Sequence, residues 1–230
     1  MSPSLTRASS GLLEDGRCIS LRGARVCAGD GRRLLSIEEL DVAAGERVVV
    51  TGPSGSGKSL LLSTLAGRWP AGLRFTGERR ASFTRLGTIP QRGLDALHPL
   101  SPLGRQLRKV TGRRPDEVVS ALAAVGLTDP DLRRRRPAEL SGGQAQRAAV
   151  ALAVLTGAPL VLADEPTSAL DHEARDRVLE LFDSVIGEQQ TLVVVTHDPA
   201  VAEALATRHL TLEAGVLAEI PARSGEVARP

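Results

Sequence analysis

The sequence predicts an α/β fold in which a mainly parallel sheet is covered by helices and preceded by an antiparallel β edge. Three observations support this prediction. A short apolar run at 47–51 leads through a glycine-rich loop into a helix-prone segment. Strand-like and helix-like runs then alternate from residue 160 onwards. Between them, residues 92–156 are punctuated by Pro and Gly and carry apolar residues at helical spacing, which predicts a helical subdomain inserted into the core.

The first part of the chain alternates β-prone runs with Gly/Asp turns, the pattern of an antiparallel edge. The runs cover 18–21, 34–42 and 47–50, and a typical turn is AGDG at 28–31. The sequence predicts flexible tails at 1–16 and 221–230, so that the single domain covers 17–220.

Residues 52–59 read GPSGSGKS, which matches G-x-x-x-x-G-K-S between a predicted strand and a predicted helix. Glycines let successive backbone N–H groups point inward, and the helix dipole adds positive charge for a polyphosphate. Lys58 is one of only two lysines among 29 basic residues, which indicates that a compact ammonium is needed for the β- and γ-phosphates. Ser59 offers a hydroxyl to Mg²⁺. The predicted nucleotide-binding residues are Gly52, Pro53, Ser54, Gly55, Ser56, Gly57, Lys58, Ser59 and Leu60.

The later elements follow in alternation. A short apolar run at 86–90 is closed by Gln91, and Val118, Leu122 and Val125 recur at helical spacing within the insertion. After the insertion the sequence predicts strands at 160–163 and 191–196, helices at 171–186 and 199–206, and a closing strand pair at 208–213 and 216–220.

Two acidic residues follow the strand at 160–163. In a parallel sheet the ligand lies at the carboxyl ends of the strands, so Asp164 is placed to hold Mg²⁺, directly or through water. Glu165 can orient and deprotonate a water molecule that attacks a phosphate. The alternative is that both acids merely begin a turn before Pro166.

Composition argues against a nucleic-acid-binding protein, a zinc-binding protein and a membrane-spanning protein. The net charge is +2, and the most basic run, 133–136, has no aromatic residues between its arginines, so nucleic-acid binding is not expected. Cys18 and Cys27 lack the spacing of a zinc site and are expected to be free thiols in a reducing compartment. The most apolar later run, 148–155, is too short to span a bilayer. We therefore expect a soluble, cytoplasmic chain.

Residues 140–144 read LSGGQ and are followed by Arg147. With the phosphate loop, Gln91, the acidic pair, residues 168–171 and His197 in the same order, the chain resembles the ATP-binding cassette (ABC) family over nearly its whole length. The resemblance implies a P-loop ATPase core that uses ATP and Mg²⁺. Ser141 would cap a helix beginning at Gly142, whose free N–H groups make a second anion site.

The resemblance also implies roles for individual residues. Ser141, Gly142, Gly143 and Gln144 would contact the nucleotide of a second cassette in a head-to-tail pair. Gln91 would sense Mg²⁺ and the attacking water, His197 would contact the γ-phosphate, and Asp171 would cross the dimer interface. The remaining histidines, His98, His172 and His209, are given no role.

The chain departs from the family at the position of the aromatic residue that stacks on adenine. Val26, Cys27 and Ala28 stand there instead. Because stacking on an aromatic contributes about 1–3 kcal/mol, we expect weaker and less base-selective binding by the isolated chain, and a heterodimer with a related cassette.

Residues 94–100 (LDALHPL) and 103–107 (LGRQL) resemble segments of peptide and nickel importer ATPases. The resemblance implies permease subunits docked at the Gln91 loop and helical subdomain, at the inner face of the cell membrane. We expect import of peptides, nickel or metal chelates. The alternatives are an exporter or lipoprotein-release ATPase, a non-transport ATPase of DNA repair or translation, which the chain length disfavours, and a non-hydrolysing regulatory cassette, which Glu165 and His197 disfavour.

Overall fold

The computed structural model describes residues 16–168, 172–186 and 190–220. The predicted tails, apart from Gly16, and Asp171 lie outside these residues. The strands are β1 (Arg17–Cys27), β2 (Arg33–Ala43), β3 (Arg47–Thr51), β4 (Arg74–Ala81), β5 (Leu86–Ile89), β6 (Leu160–Asp164), β7 (Thr191–Thr196), β8 (Arg208–Glu213) and β9 (Val216–Glu219). The α-helices are α1 (Lys58–Ala66), α2 (Leu103–Thr111), α3 (Pro115–Ala124), α4 (Gly142–Leu155), α5 (His172–Val185) and α6 (Pro199–Leu205).

The strands form one mixed sheet in the order β4-β1-β2-β9-β8-β3-β7-β6-β5. Strands β8, β3, β7, β6 and β5 run parallel, which confirms the predicted mainly parallel sheet. Strands β1, β2 and β4 are antiparallel and form the predicted edge. The two parts join through β9, which pairs with β2 at a single position, Ser36 opposite Val216.

The sheet separates two apolar clusters, because successive strand residues face opposite sides. Val48 and Val50 pack with α1 and the antiparallel strands, whereas Val49 packs with α4, α6 and Phe182 of α5. All six residues of β7 are buried, as expected for a strand covered on both faces.

The segment 92–156 leaves the sheet after β5 and returns at β6, the adjacent strand. Its elements are all helical: α2, α3, α4 and three short 3₁₀ turns. Gly93 lies against α4 so closely that a Cβ there would be 2.4 Å from the Ala145 carbonyl. This contact fixes the segment that follows Gln91 against the helix that follows Ser141.

Strand β4 is absent from the sequence-based prediction. Half of its residues, RFTGERRA, are charged and all are only half-buried or exposed, so they lack the apolar alternation of the other strands. The strand forms through pairing with β1, a long-range contact that local pattern does not encode. Among the described residues, no helix combines the length and apolar character needed to cross a membrane.

Candidate nucleotide site

The phosphate loop joins the carboxyl end of β3 to the first turn of α1. Gly55 and Gly57 have φ of 80° and 103°, a left-handed conformation that glycine adopts without strain. Gly57 is the N-cap of α1, with no side-chain cap and no acidic residue in the first turn. The first N–H groups of α1 are therefore left for an anion, and the helix dipole favours one there.

The loop is braced from below by the hairpin of β8 and β9. A Cβ on Gly52 would lie 2.2 Å from the Leu212 carbonyl oxygen, so only glycine fits this contact. Gly215, in the hairpin turn, donates its N–H to the Ser56 carbonyl at 3.0 Å. The curvature of the loop is thus set by neighbouring backbone as well as by its own glycines.

Lys58 extends back over the loop. Its Nζ donates to the carbonyls of Gly52 at 2.8 Å and Pro53 at 3.1 Å, and lies 3.2 Å from Glu165 Oε1. The side chain is only 7% exposed. The ammonium is therefore held over the loop by the Gly52 and Pro53 carbonyls and by the Glu165 carboxylate.

Glu165 follows β6 and has an unusual backbone. Its φ of 45° is left-handed, a conformation that costs a non-glycine residue on the order of 1–3 kcal/mol and is found mainly at functional sites. Its N–H donates to the Val195 carbonyl at 2.8 Å, which anchors the turn to β7. Glu165 Oε2 accepts the His197 N–H at 3.2 Å and lies 2.8 Å from His197 Nδ1.

Asp164 ends β6 beside the first turn of α1, where its carboxyl interacts with the Ser59 hydroxyl. Burial raises the pKa of Asp164, and although the Ser59 hydrogen bond opposes the shift, the charge of Glu165 adds to it. The Ser59 hydroxyl and the Asp164 carboxylate are hard oxygen donors of the kind Mg²⁺ prefers. Mg²⁺ is usually held by one or two carboxylates together with water and substrate phosphates, so this small donor set fits it.

Gln91 follows β5 at the same edge of the sheet. Its Nε2 donates to Ser168 Oγ at 3.1 Å, immediately before the three residues 169–171 that lie outside the described part. The predicted contact residue Asp171 is among those three.

The LSGGQ segment begins α4 with reciprocal capping. Gln144 donates its backbone N–H to Ser141 Oγ at 3.2 Å, and Ser141 donates its N–H to Gln144 Oε1 at 2.9 Å. A Cβ on Gly142 or Gly143 would meet nothing within 4 Å, so this helix end faces open space.

Of the other predicted site residues, Gln91 lies close to the LSGGQ segment. Gln91, Gly142 and Gly143 line one cavity of about 240 Å³, together with Pro166. No hydrogen bond or ion pair among the described residues joins Ser141–Gln144 to the phosphate loop.

Two residues near the site were not predicted. His209 of β8 has its Nε2 2.8 Å from Thr51 Oγ1, directly before the phosphate loop, and burial lowers the pKa of this imidazole. Arg175 of α5 pairs with Asp198, next to His197. The parallel pairing of β3 with β8 is the only signal that could have found His209, and local sequence does not carry it.

The end of β1 carries no aromatic side chain. Cys27 pairs in register with Arg33 and Arg74, and Ala28 begins the turn to β2. The nearest aromatic pair is Trp69 with Phe75, stacked with ring centroids 4.4 Å apart. Trp69 follows α1, and Phe75 of β4 pairs directly with Val26, so the ring pair lies beside the end of β1.

Comparison with known proteins gives a consistent result. The family model described as "ABC transporter" matches residues 35–168. The macrolide export ATP-binding/permease protein MacB of Rhodopseudomonas palustris is 36% identical over 93% of this chain and 36% of its own length. The zinc import ATP-binding protein ZnuC of Cereibacter sphaeroides is 38% identical over 81% of this chain and 75% of its length. The lipoprotein-releasing system ATP-binding protein LolD of Chromohalobacter salexigens is 37% identical over 81% of this chain and 85% of its own length.

Solved structures agree. The dimeric structure of MJ0796, a bacterial ABC transporter cassette, superposes with a TM-score of 0.74 at 26% identity, covering 89% of this chain and 99% of that one. An ATP-bound bacterial Atm1-family ABC exporter superposes with a TM-score of 0.74 at 25% identity, covering 94% of this chain and 40% of that one. The chain thus spans about a third of the MacB relatives but most of the separate ATP-binding subunits.

Proposed function

The chain belongs to the ABC transporter family of ATP hydrolases, and from this premise we propose that it is the ATP-binding, ATP-hydrolysing subunit of a transporter. One observation carries the proposal. The Glu165 carboxylate lies between Lys58 Nζ, at 3.2 Å, and His197 Nδ1, at 2.8 Å. A base, a phosphate-binding cation and a hydrogen-bonding imidazole are the groups that phosphoryl transfer to water requires.

Each residue has a role in this proposal. The backbone N–H groups of residues 54–60 and the Lys58 ammonium hold the β- and γ-phosphates. Ser59, Asp164 and Gln91 hold Mg²⁺, which when bound neutralises phosphate charge. Glu165 takes the proton of the attacking water, and His197 orients Glu165 through Nδ1 and contacts the γ-phosphate through its other ring nitrogen.

A second cassette completes the site. The open helix end at Gly142 and Gly143, capped by Ser141, is an anion site that faces outward, so it fits a phosphate brought by another subunit. Asp171 would contact the same subunit. Since no aromatic residue stands at Val26, Cys27 or Ala28, we propose a heterodimer with a related cassette as the physiological unit.

A membrane partner is proposed to dock beside α2, where the helical segment 92–156 provides the contact. Leu100 and Val110 are 72% and 67% exposed and line one groove, together with the basic Arg105 and Lys109. Exposed apolar residues beside cations fit an amphipathic segment of a permease. With such a partner the chain would work on the cytoplasmic side of the membrane.

Two transport directions are supported by different observations. The likeness of residues 94–107 to importer ATPases supports import of peptides, nickel or metal chelates, and ZnuC and SsuB are named for zinc and sulfonate import. MacB and LolD, named for macrolide export and lipoprotein release, support export as the second candidate.

The test begins with the purified chain. We expect Mg²⁺-dependent phosphate release from ATP that Lys58→Ala abolishes; no nucleotide binding and no hydrolysis at high protein concentration would overturn the proposal. Docking is tested by binding of the chain to membranes that contain its permease. Leu100→Asp and Val110→Asp should each reduce binding, whereas Val119→Asp, an exposed valine of α3, serves as the matched control.

A further inference from the structure

Arg175 links helix α5 to the loop that carries His197. Its Nη1 lies 3.2 Å from Asp198 Oδ2, and the two side chains are 20% and 29% exposed. The same guanidinium also contacts Asp176, with Nη2 3.0 Å from Oδ1. Arg175 therefore joins an acid on its own helix to an acid on the loop after β7.

Asp198 fixes the backbone immediately after His197. Its Oδ1 accepts the Ala200 N–H at 3.0 Å, which caps α6. Its own N–H donates to Thr196 Oγ1 at 3.1 Å. One carboxylate oxygen thus caps a helix while the other faces Arg175, and the orientation of the carboxylate depends on both.

His197 needs such support because its own side chain packs poorly. The imidazole is 56% exposed, yet its Nδ1 lies 2.8 Å from Glu165 Oε2. Its neighbour Thr196 is buried at the end of β7 and Asp198 is held by Arg175, so the backbone on both sides fixes the position from which the ring reaches Glu165. Arg175, His197 and Asp198 also line one cavity of about 380 Å³ with Ser168.

We propose that Arg175 is a positioning residue for ATP hydrolysis: through Asp198 it holds His197 where the imidazole orients the Glu165 carboxylate. The inference rests on the proposed function. It links the Lys58–Glu165–His197 contacts to α5, the helix that follows residues 169–171, through the peptide bond between His197 and Asp198. The charged groups facing this chain are Lys58, Glu165, Asp176 and Asp198.

The main test compares kinetics of Arg175→Met with the wild type. Because misplacing a reacting group by about 1 Å lowers rates about 100-fold, we expect kcat to fall at least about tenfold. The KM for ATP should stay within about twofold, since the phosphate-binding residues are untouched. Arg175→Lys, which keeps a cation near Asp198, should recover kcat to within about threefold of wild type.

Two acid-to-amide variants separate the partners of Arg175. Asp198→Asn removes the ion pair but retains a good helix cap, so its kcat should fall as much as that of Arg175→Met. The kcat of the double variant should be no lower than that of either single variant. Asp176→Asn is the matched control and should leave kcat unchanged.

The His197 ring provides a readout that loss of stability alone would not move. In nitrogen-15 spectra, with assignment by His197→Gln, the ring signals of Arg175→Met should shift towards those of a solvated imidazole, while those of Asp176→Asn should match wild type. Unchanged ring signals with kcat within about twofold of wild type would overturn the inference. An equal fall in kcat for Arg175→Met and Asp176→Asn would also overturn the inference. If the wild type hydrolyses no ATP, the proposed function fails instead, and the ring signals still test the contact.

Discussion

Lys58 and Glu165 form an ion pair, 3.2 Å from Nζ to Oε1, with side chains only 7% and 12% exposed. Lys58 begins the helix after β3, and Glu165 follows β6. Strand β7 lies between those two strands, so only the parallel sheet brings the cation and the carboxylate to one point. A buried pair of this kind makes the substitution of either partner informative.

Glu165→Gln should remove most hydrolysis and keep ATP binding. The amide cannot act as the base, a loss of about 100-fold or more, whereas Lys58 retains its bonds to the Gly52 and Pro53 carbonyls. Phosphate release and titration calorimetry measure the two effects, and gel filtration should reveal an ATP-trapped dimer. Glu203→Gln, an exposed acid on α6, is the control. Hydrolysis within about twofold of wild type would remove Glu165 from the catalytic role.

Ser141→Arg should leave nucleotide binding by the single chain intact and stop turnover. The substitution blocks the open helix end, which we propose acts on the other subunit's ATP, and does not touch the phosphate loop. Mixing this variant with Lys58→Ala should restore at most one composite site per dimer. Ser120→Arg, on the exposed face of α3, controls for added charge. Loss of ATP binding in the monomer would contradict the arrangement between subunits.

The antiparallel edge predicts a pH effect on stability. Hydrogen bonds from Arg22 to both oxygens of Asp41 hold the pKa of Asp41 at about 2. The folded-state pKa is lower than the unfolded one, so the ionised carboxylate stabilises the fold above about pH 5, and this contribution is lost as the pH falls towards 2.

Because Asp41 is partly exposed, we expect Asp41→Asn to lower the free energy of unfolding by no more than about 1 kcal/mol at pH 6, and by less at pH 3. Urea titrations at the two pH values measure the difference. Glu38→Gln, an exposed change on the same strand, should have no pH-dependent effect. If Asp41→Asn lowered the free energy of unfolding by the same amount at both pH values, the prediction would be contradicted.

Ala28→Tyr or Cys27→Tyr should tighten ATP binding. A ring at this position can stack on adenine and contribute about 1–3 kcal/mol, which corresponds to roughly five- to 150-fold in affinity. Calorimetry with ATP and GTP, for wild type and both variants, measures strength and selectivity. Tight, adenine-selective binding by the wild type would mean that another group already holds the base. Full cooperative activity of the isolated chain would favour a homodimer.

The buried strands were predictable because β3, β6 and β7 are short continuous apolar runs between turn signals. The phosphate loop and the acidic pair were predictable because their chemistry lies in consecutive residues. The contacts between strands were not. That Glu165 Oε2 lies beside His197 follows from the register of β6 against β7, and the Thr51–His209 hydrogen bond from that of β3 against β8.

Strand β4 and the Arg175–Asp198 pair escaped prediction for related reasons. The charged sequence of β4 becomes a strand only because β1 offers it an edge. Arg175 looks like any exposed helical arginine until the fold places Asp198 beside it. Local sequence fixes residue type and spacing, whereas these contacts depend on how distant segments meet.

The pairing of Ser36 with Val216 is a narrow connection between the two parts of the sheet. The parallel and antiparallel parts of the sheet each have extended strand pairing, whereas across this line the described residues have one paired position, the hydrogen bond from the Ser36 N–H to the Gly215 carbonyl at 2.7 Å, and the bond from Arg208 Nη1 to the Asp41 carbonyl at 2.8 Å. Gly215 also holds the phosphate loop through Ser56. The hairpin turn at Gly215 is therefore one route by which a displacement of the antiparallel edge would reach the phosphate loop.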